Sequence, residues 1–372
     1  MSNIPAPSNF ISLAPDAAKA SSAPFVGIAA PREKKLAVLA DEDFPEARWN
    51  LGGFFLYDNV RRVIHDFVRQ QFLRENTIAE THGAPPCAWT LDWFQSRPLT
   101  PPNEIAAMLK TVADKPTTFV LQLDNPDVPA ERLNDAVGNA LLTFVARMPR
   151  GAVSVASERL AEHVRGKFPS LQLRAGVNKV IAERGRGNAD YYLDAAKKFA
   201  VVAVHPDDVF DAALLEKLAG TAGADKFEIT VNDTCLRSCP ARERHVAALA
   251  GIRSDPWNAD LLRERHRLLA EAKCEQVCGR PADAGAFPRA ALLSREELKA
   301  VYALGFRRFR IQAETLRSEI SFFWSALGWL FTARPERWHH MGLIATSLIT
   351  RVTPPVPALQ SGLSPFVKRK YD

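Results

Sequence analysis

The sequence has few cysteines and lacks a long apolar run. Five cysteines in 372 residues are few and odd in number, which argues against the disulfide framework of a secreted domain. The longest apolar run covers residues 320–333, and it is shorter than the roughly 20 residues that a membrane-spanning helix needs. We therefore expect a cytoplasmic protein that has no membrane span and keeps its thiols reduced.

Blocks of one charge and common hydrolase motifs are also missing. The net charge is +6, but lysine and arginine are spread along the chain rather than collected in one basic segment. Such basic residues are typical of solvated helix faces, so we expect no nucleic-acid partner. Neither an HExxH nor a GxSxG motif occurs, so no motif supports a metalloprotease or a serine hydrolase.

Composition divides the chain into three parts. Residues 1–30 are rich in alanine, serine and proline and have no lysine-flanked apolar core. We interpret them as a disordered leader that is neither a signal peptide nor a membrane helix. Residues 31–315 are predicted to form the main domain, and residues 316–372 a C-terminal helical extension and tail.

Short apolar strands alternate with amphipathic helices through the main domain. Strands are predicted at residues 50–55, 77–81, 118–123, 152–156, 171–174, 200–204, 227–231 and 306–311. Helices are predicted at residues 59–73, 103–112, 130–148, 158–167, 191–199 and 211–218. A capping box at Ser294 and Glu297 begins a further helix, which Gly305 ends. Eight strands separated by helices predict a (β/α)8 TIM-type barrel, with an open doubly wound sheet as the alternative.

Polar residues follow the predicted strands. In a barrel of parallel strands, the strand ends meet at one mouth, where catalytic groups gather. We expect Lys179, His82 and His205, in that order, to supply catalytic groups to a pocket there. The remaining polar residues at strand ends also fit helix caps and turns. They are Glu80, Asp124, Asn125, Ser157, Glu158, Asn178, Asp207, Asp208, Asn232, Asp233, Gln312 and Glu314.

Four of the five cysteines form two CxxxC pairs, Cys235 with Cys239 and Cys274 with Cys278. The first pair follows the seventh strand, and both pairs belong to an insertion at residues 235–289, between the seventh and eighth strands. On a helix, the i, i+4 spacing places both sulfurs of a pair on one face. Four thiolates suit an iron–sulfur cluster or zinc, and unmetallated thiols or disulfides are the remaining alternatives. Cys87 lies in a separate loop, and we do not expect it to be a ligand.

The apolar segment 320–333 is unusually aromatic. A buried core helix is one interpretation of it. A surface for a protein partner, or a helix at a membrane interface, is the other interpretation. Its aromatic residues are Phe322, Phe323, Trp324, Trp329 and Phe331.

Two sequence patterns resemble the collagenase-like peptidase family U32 and uncharacterised bacterial barrel proteins related to it. One is Asn-Asp-x-Cys-x-x-x-Cys-Pro-x-Arg-x-x-His at residues 232–245, and the other is the helix and strand at residues 298–314. The resemblance covers roughly residues 48–315. Members of this family include peptidases of unclear mechanism and iron–sulfur proteins that hydroxylate ubiquinone precursors or RNA without oxygen.

The resemblance implies that Cys235, Cys239, Cys274 and Cys278 hold a 4Fe–4S cluster at the barrel mouth. The cysteine spacings differ from those of the hydroxylating proteins, so it implies ligation more directly than a particular reaction. Our leading hypothesis is an iron–sulfur oxidoreductase or oxygen-independent hydroxylation-type enzyme acting on a small or polymer-borne substrate. The alternative is a non-catalytic module that is stabilised by an iron–sulfur cluster or zinc and binds a partner through residues 320–333. A peptidase-like hydrolase is the third hypothesis.

Removal of any one ligand opens a four-cysteine site, so we expect Cys235→Ala, Cys239→Ala, Cys274→Ala and Cys278→Ala each to lower the metal content markedly. Elemental analysis of purified protein measures this. Cys87→Ala is the matched control and should keep the wild-type metal content. Metal loss in the control, together with retention in Cys274→Ala, would show that the wrong thiols have been grouped.

Overall fold

A computed structural model describes residues 43–69, 73–75, 77–91, 102–113, 115–255, 257–271, 290–314 and 319–331. The strands are β1 (Arg48–Leu51), β2 (Ile78–Gly83), β3 (Thr118–Leu123), β4 (Gly151–Val155), β5 (Gln172–Ala175), β6 (Val202–Ala203), β7 (Phe227–Thr230), β8 (Asn232–Leu236), β9 (Ala290–Leu292) and β10 (Arg308–Ile311). The predicted leader and the cysteines Cys274 and Cys278 lie outside the described residues.

Helices separate most of the strands. They are α1 (Asp58–Arg69), α2 (Pro102–Ala113), α3 (Ala136–Val145), α4 (Glu158–Lys167), α5 (Val177–Ala182), α6 (Ala189–Lys198), α7 (Ala212–Ala222), α8 (Arg242–Ser254), α9 (Ala259–Glu271), α10 (Arg295–Ala303) and α11 (Glu319–Leu330). Short 3-10 turns cover Ala130–Asn134, Asp208–Phe210 and Ala224–Lys226.

Eight strands close into a barrel in the order β1-β10-β7-β6-β5-β4-β3-β2. Closure is made by β1, which pairs in parallel with β10 on one side and with β2 on the other. The predicted (β/α)8 barrel is confirmed, and the open sheet is excluded. The strands β8 and β9 stand apart from the ring as an antiparallel pair. They flank the predicted insertion at residues 235–289, since β8 overlaps its start and β9 follows its end.

The outward faces of the barrel strands are apolar. Because side chains alternate along a strand, every second residue meets the surrounding helices. Each such side chain, when fully buried, stabilises the fold by about 1.5–3 kcal/mol. The buried outward residues include Trp49, Leu51, Phe119, Leu121, Val153, Val155, Leu173, Phe227, Ile229, Phe309 and Ile311.

The inward faces are mostly polar, which differs from the branched apolar layers that usually fill such barrels. The buried polar residues of the lumen are Asn50, Glu80, His82, Gln122, Ser154, Arg174, Glu228, Thr230 and Arg310. Buried charges are tolerated only when they are paired and hydrogen-bonded. The barrel therefore depends on pairing across its interior.

Glu80 of β2 is the centre of this pairing. One carboxylate oxygen accepts from Arg174 on β5, and the other accepts from Arg308 on β10 at 2.8 Å. His82 Nε2 donates to Glu80 Oε2 at 3.0 Å. Burial alone would raise the pKa of Glu80, but the hydrogen bond from His82 and the charge of Arg174 outweigh it and hold the pKa well below its usual range. Glu80 is therefore ionised inside the barrel.

Two further bonds cross the lumen. Arg310 Nη2 on β10 donates to Gln122 Oε1 on β3 at 2.5 Å. Asn50 Nδ2 on β1 donates to Glu228 Oε2 on β7 at 2.6 Å. The network therefore ties together strands that are not neighbours in the ring.

Local sequence signals fix most helix ends. The capping box at Ser294 is formed, with Glu297 N donating to Ser294 Oγ at 3.3 Å. The single helix predicted at 130–148 was wrong, because it is interrupted at Asp135. That residue leaves the helical conformation and caps α3 by accepting from Gly138 N at 2.5 Å.

Helix α11 packs its aromatic residues into the core. Phe322 stacks on Tyr57 at a ring distance of 5.8 Å, and Trp329 lies 6.3 Å from Trp49. Ile320 and Trp324, four residues apart on this helix, are 61% and 41% exposed. The core-helix interpretation is confirmed for the described part of the segment, and one narrow face stays outside the core. No helix within the described ranges is long and apolar enough to span a membrane.

We expect Glu80→Gln to lower the free energy of unfolding by about 3–5 kcal/mol, because it removes the charge that neutralises buried Arg174. Urea titration of both proteins at pH 7 measures the difference. Glu264→Gln on α9 removes one of the two carboxylates that pair with a half-exposed Arg267 and should change the stability far less, because exposed ion pairs contribute little. Equal stability of Glu80→Gln and wild type would show that the lumen network does not support the barrel.

Candidate functional site

The carboxyl ends of the barrel strands gather polar residues at one mouth. Asn178, after β5, donates Nδ2 to the carbonyl oxygen of Asp124, after β3, at 3.0 Å. Across the mouth, Asn232 Oδ1 accepts from the backbone N–H of Gln312 at 2.8 Å. Residues predicted from separate strand ends are therefore brought into contact.

The insertion covers this mouth. A single residue, Val231, separates the end of β7 from the start of β8, and α8 and α9 follow β8. Val246 and Leu249 of α8 pack on Ile181 of α5 and on Leu91 in a small apolar cluster. Arg253 of α8 also donates to the carbonyl oxygen of Cys87, at 2.7 Å from Nη2. The helix is thus held over the strand ends by both apolar and polar contacts, and Cys87 lies on its supporting loop rather than in the turn that carries Cys239.

Cys235 and Cys239 do not share a helical face, so that prediction was wrong. Cys235 belongs to β8, and Cys239 lies in the turn that precedes α8. Strand pairing of β8 with β9 keeps Cys235 extended, and Ser238 within the turn adopts a left-handed φ of 56°. The turn still brings both cysteines to the wall of one cavity.

This cavity, which we call the mouth cavity, has a volume of about 40 Å³. That is room for a few water molecules or a small chemical group. Elements that follow β5, β7 and β10 all contribute to it. Its walls are formed by Val177, Asn178, Ile181, Asp233, Cys235, Leu236, Cys239, Arg242, His245, Val246 and Gln312.

His205 lies beside the mouth cavity rather than in its wall. Its ring nitrogen Nδ1 accepts from the backbone N–H of Asp207 at 3.1 Å, and the backbone N–H of His205 donates to Tyr192 Oη at 2.9 Å. Burial, followed by the charge of Arg242, lowers the pKa of His205 to about 4. His205 is therefore a neutral imidazole at pH 7, next to the strand end of β6.

Lys179 is engaged elsewhere. Its ammonium donates to Glu158 Oε2 at 2.7 Å and to Glu183 Oε1 at 2.6 Å, and it lies 5.5 Å from the centre of the Phe199 ring. These partners belong to the helical layer. Within the described part of the chain, Lys179 therefore bonds to neither His82 nor His205.

His82 lies inside the lumen, where Glu80, His82 and Glu228 place three possible metal-ligand atoms within 4.8 Å of one another. This triad could hold a metal ion, but its atoms already have partners. Glu80 accepts from two arginines, and Glu228 accepts from Asn50. A divalent cation would therefore compete with charges that already balance, which favours a structural role for the lumen.

Sequence reasoning missed the lumen as a group. Its members do not follow strands but alternate within them, as in Glu80 and His82, or Arg308 and Arg310. A polar residue at every second position of an apolar strand was the available signal. Parallel strands in barrels are usually buried on both faces, so apolar side chains are the usual expectation for both of them.

Cys235 and Cys239 fit a thiolate metal centre in part. Both border the mouth cavity, and a buried cation, Arg242, lies in the same wall. Among the described residues, no group of three ligand atoms that includes either sulfur lies within 4.8 Å. A closed site would therefore need Cys274 and Cys278, which lie outside the described residues.

A larger cavity, about 170 Å³, lies at the opposite end of the barrel. Trp49, Leu73 and Leu330 form part of its wall, at the amino end of β1. In barrels of this type that end contributes to stability, whereas chemistry occurs at the carboxyl end. The smaller mouth cavity is therefore the better candidate site.

Comparisons with known proteins add little beyond this geometry. No family model matches the chain, and no curated protein matches it. Among solved structures it is similar to one described as "The Structure of the U32 Peptidase Mk0906", with 13% identity and a TM-score of 0.44. The match covers 72% of this chain and 92% of that chain. Likeness at this level supports no argument about activity, and the fold assignment rests on the closed ring of strands.

We expect His205 to make the fold sensitive to mild acid. Its folded pKa of about 4 lies below its ordinary 6.5, so its stabilisation is full above pH 6.5 and is lost as pH falls towards 4. This predicts about 2 kcal/mol less stability at pH 5 than at pH 7. Urea titrations at both pH values should show a smaller pH effect in His205→Gln than in wild type.

Two features sharpen this measurement. Burial also lowers the pKa values of His65 and His245 to about 4. The variant His205→Gln should therefore lose only the part of the pH-dependent stability that comes from His205. His266→Gln on the exposed side of α9 is the control and should keep the wild-type pH effect. A pH effect in His205→Gln equal to that of wild type would contradict the prediction.

Proposed function

We propose that the protein is a metal-dependent oxidoreductase whose centre is held by Cys235, Cys239, Cys274 and Cys278 at the barrel mouth. An iron–sulfur cluster is the first candidate and zinc is the alternative. The observation that carries the proposal is the position of Cys235 and Cys239 on one cavity at the carboxyl end of the barrel. Active sites of such barrels are built at that end.

The donor set and its surroundings agree with this centre. Thiolates are the ligands of iron–sulfur clusters and of many zinc sites. A buried arginine beside them favours the deprotonated, negatively charged sulfur that a metal requires. When bound, an iron–sulfur cluster would supply one-electron transfer, whereas zinc would supply a Lewis acid.

The protein side of the mouth cavity suits a small reacting group. Val177, Ile181 and Val246 give it apolar walls that exclude water, and Asn178 and Gln312 offer amide groups. At about 40 Å³ the cavity admits one end of a substrate rather than a whole one. This agrees with either a small molecule or a group carried on a polymer. His205 contacts Asp207, which in turn pairs with Arg242 in the cavity wall. His82 and Lys179 have their partners elsewhere, in the lumen and in the helical layer.

A non-catalytic partner-binding module is the second candidate. The observation that favours it is the exposed pair Ile320 and Trp324 on α11, a helix whose other large side chains are buried. A double variant, Ile320→Ser with Trp324→Ser, tests it by retention of a co-purifying protein. Such retention would have to be lost in the variant but kept when Cys235 is replaced. A peptidase-like activity stays the third candidate, and no motif in the chain adds to it.

Protein purified without oxygen should carry iron and sulfide. We expect a broad absorption near 400 nm that bleaches with dithionite, which is typical of thiolate-ligated clusters. Elemental analysis and the spectrum test this together. One equivalent of zinc without colour would favour the alternative metal. Absence of both metals would contradict the proposal of a thiolate centre.

A further inference from the structure

Arg242, the first residue of α8, connects the cysteine turn to the barrel. Its side chain is 6% exposed, and Nη2 donates to the carbonyl oxygen of Leu236 at 2.8 Å. Nη2 also lies 3.3 Å from Asp207, at the end of β6, and Nη1 lies 3.3 Å from Asp233 of β8. One guanidinium therefore joins a barrel strand, the insertion strand and the turn.

The two carboxylates that contact Arg242 also hold the turn directly. Asp233 Oδ1 accepts from the backbone N–H of Cys235 at 2.8 Å, and Asp207 Oδ1 accepts from that of Ser238 at 2.8 Å. Ser238 has the left-handed φ that side chains disfavour, so the turn needs such bonds to persist. Arg242 thus fixes the segment that carries both cysteines.

One donor of Arg242 is left over. Among the described atoms, Nε has no hydrogen-bond partner, although it is buried. A buried donor without an acceptor is unfavourable, because it has lost its hydrogen bonds to water. Arg242, Cys235 and Cys239 line the same cavity, so this arginine lies in the wall that carries both cysteines.

The electrostatics agree with this arrangement. Burial would lower the pKa of Arg242, but Asp233, Cys235, Asp207 and Cys239 together hold it above its ordinary value. The guanidinium is therefore charged at every accessible pH. Both cysteines belong to the set of groups that interact with this charge.

We infer that Arg242 is the positioning residue of the thiolate centre: it fixes the cysteine turn and places its positive charge in the cavity wall that carries Cys235 and Cys239. This inference rests on the proposed function. Charges and outer contacts around ligating sulfur tune a metal centre. Arg242 should therefore affect both the affinity for metal and the electronic state of the sulfur.

Cobalt(II) is a suitable probe, because its thiolate complexes absorb through sulfur-to-metal charge transfer. Full-length protein, freed of metal under reducing conditions, is titrated with cobalt(II), and band position and affinity are recorded. We expect Arg242→Gln to weaken binding by roughly 10–100-fold. Its band should move to longer wavelength, because sulfur that has lost a nearby cation gives up electrons more easily. Arg242→Lys should bind with intermediate affinity, since it keeps the charge but not the set of donors that joins Leu236, Asp207 and Asp233.

Two further variants separate this role from general damage to the fold. Asp233→Asn keeps the acceptor for Cys235 N–H but removes a negative charge beside Arg242, so its band should move to shorter wavelength. This variant stays informative if Arg242→Gln does not fold. Arg253→Gln changes an arginine on the same helix that contacts the Cys87 carbonyl oxygen, and it should match wild type.

The outcomes distinguish the two proposals. A wild-type protein without a charge-transfer band would overturn the thiolate centre, and the role of Arg242 with it. A wild-type band that Arg242→Gln leaves unchanged in position and affinity would overturn only the role of Arg242. Shifts of Arg242→Gln and Asp233→Asn in the same direction would also overturn it, because opposite changes of charge must act oppositely on the sulfur.

Discussion

The neutralisation of Glu80 inside the barrel is the interaction on which the rest of the structure depends. An ionised carboxylate away from water costs several kcal/mol unless donors replace its hydration. Here Arg174 and Arg308 supply those donors from two other strands of the ring, and His82 supplies one from the same strand. The ring must close for the donors to reach Glu80, so closure and charge pairing require each other.

The same polarity extends from the lumen to the mouth. Arg310 bonds to Gln122 in the lumen and lies 3.3 Å from Glu314, beyond the end of β10. Gln312, the residue that follows β10, exchanges hydrogen bonds with Asn232, the first residue of β8. The insertion is therefore attached to the barrel through buried polar groups, which require specific partners and so define its position. This is how a short turn can hold two cysteines at a fixed place over the strand ends.

The barrel was predictable because its signals are local. The predicted strand 118–123 and helix 158–167 match β3 and α4 at both ends. The Ser294 capping box formed as expected. Local signals competed at two places: Asp135 favoured a cap over the predicted continuous helix, and Asn232 with Asp233 form part of β8 although Asn and Asp are uncommon in strands. In the second case, pairing with β9 overrode the intrinsic preference of the residues.

For the candidate site, the sequence alone determined which thiols are candidate ligands. The spacing of Cys235 and Cys239 after the seventh strand identified the thiols and the end of the barrel where they lie. Only the tertiary structure decided what surrounds them. In the sequence, Arg242 is one of several charges on a polar turn. In the structure it links the cysteine turn to the barrel, because Asp207 and Asp233 both pair with it. Glu80 and Arg174 are 94 residues apart, and periodicity can show that each faces inward but not that they meet. Contacts between strands that are not neighbours depend on how the whole ring closes, so no local pattern encodes them.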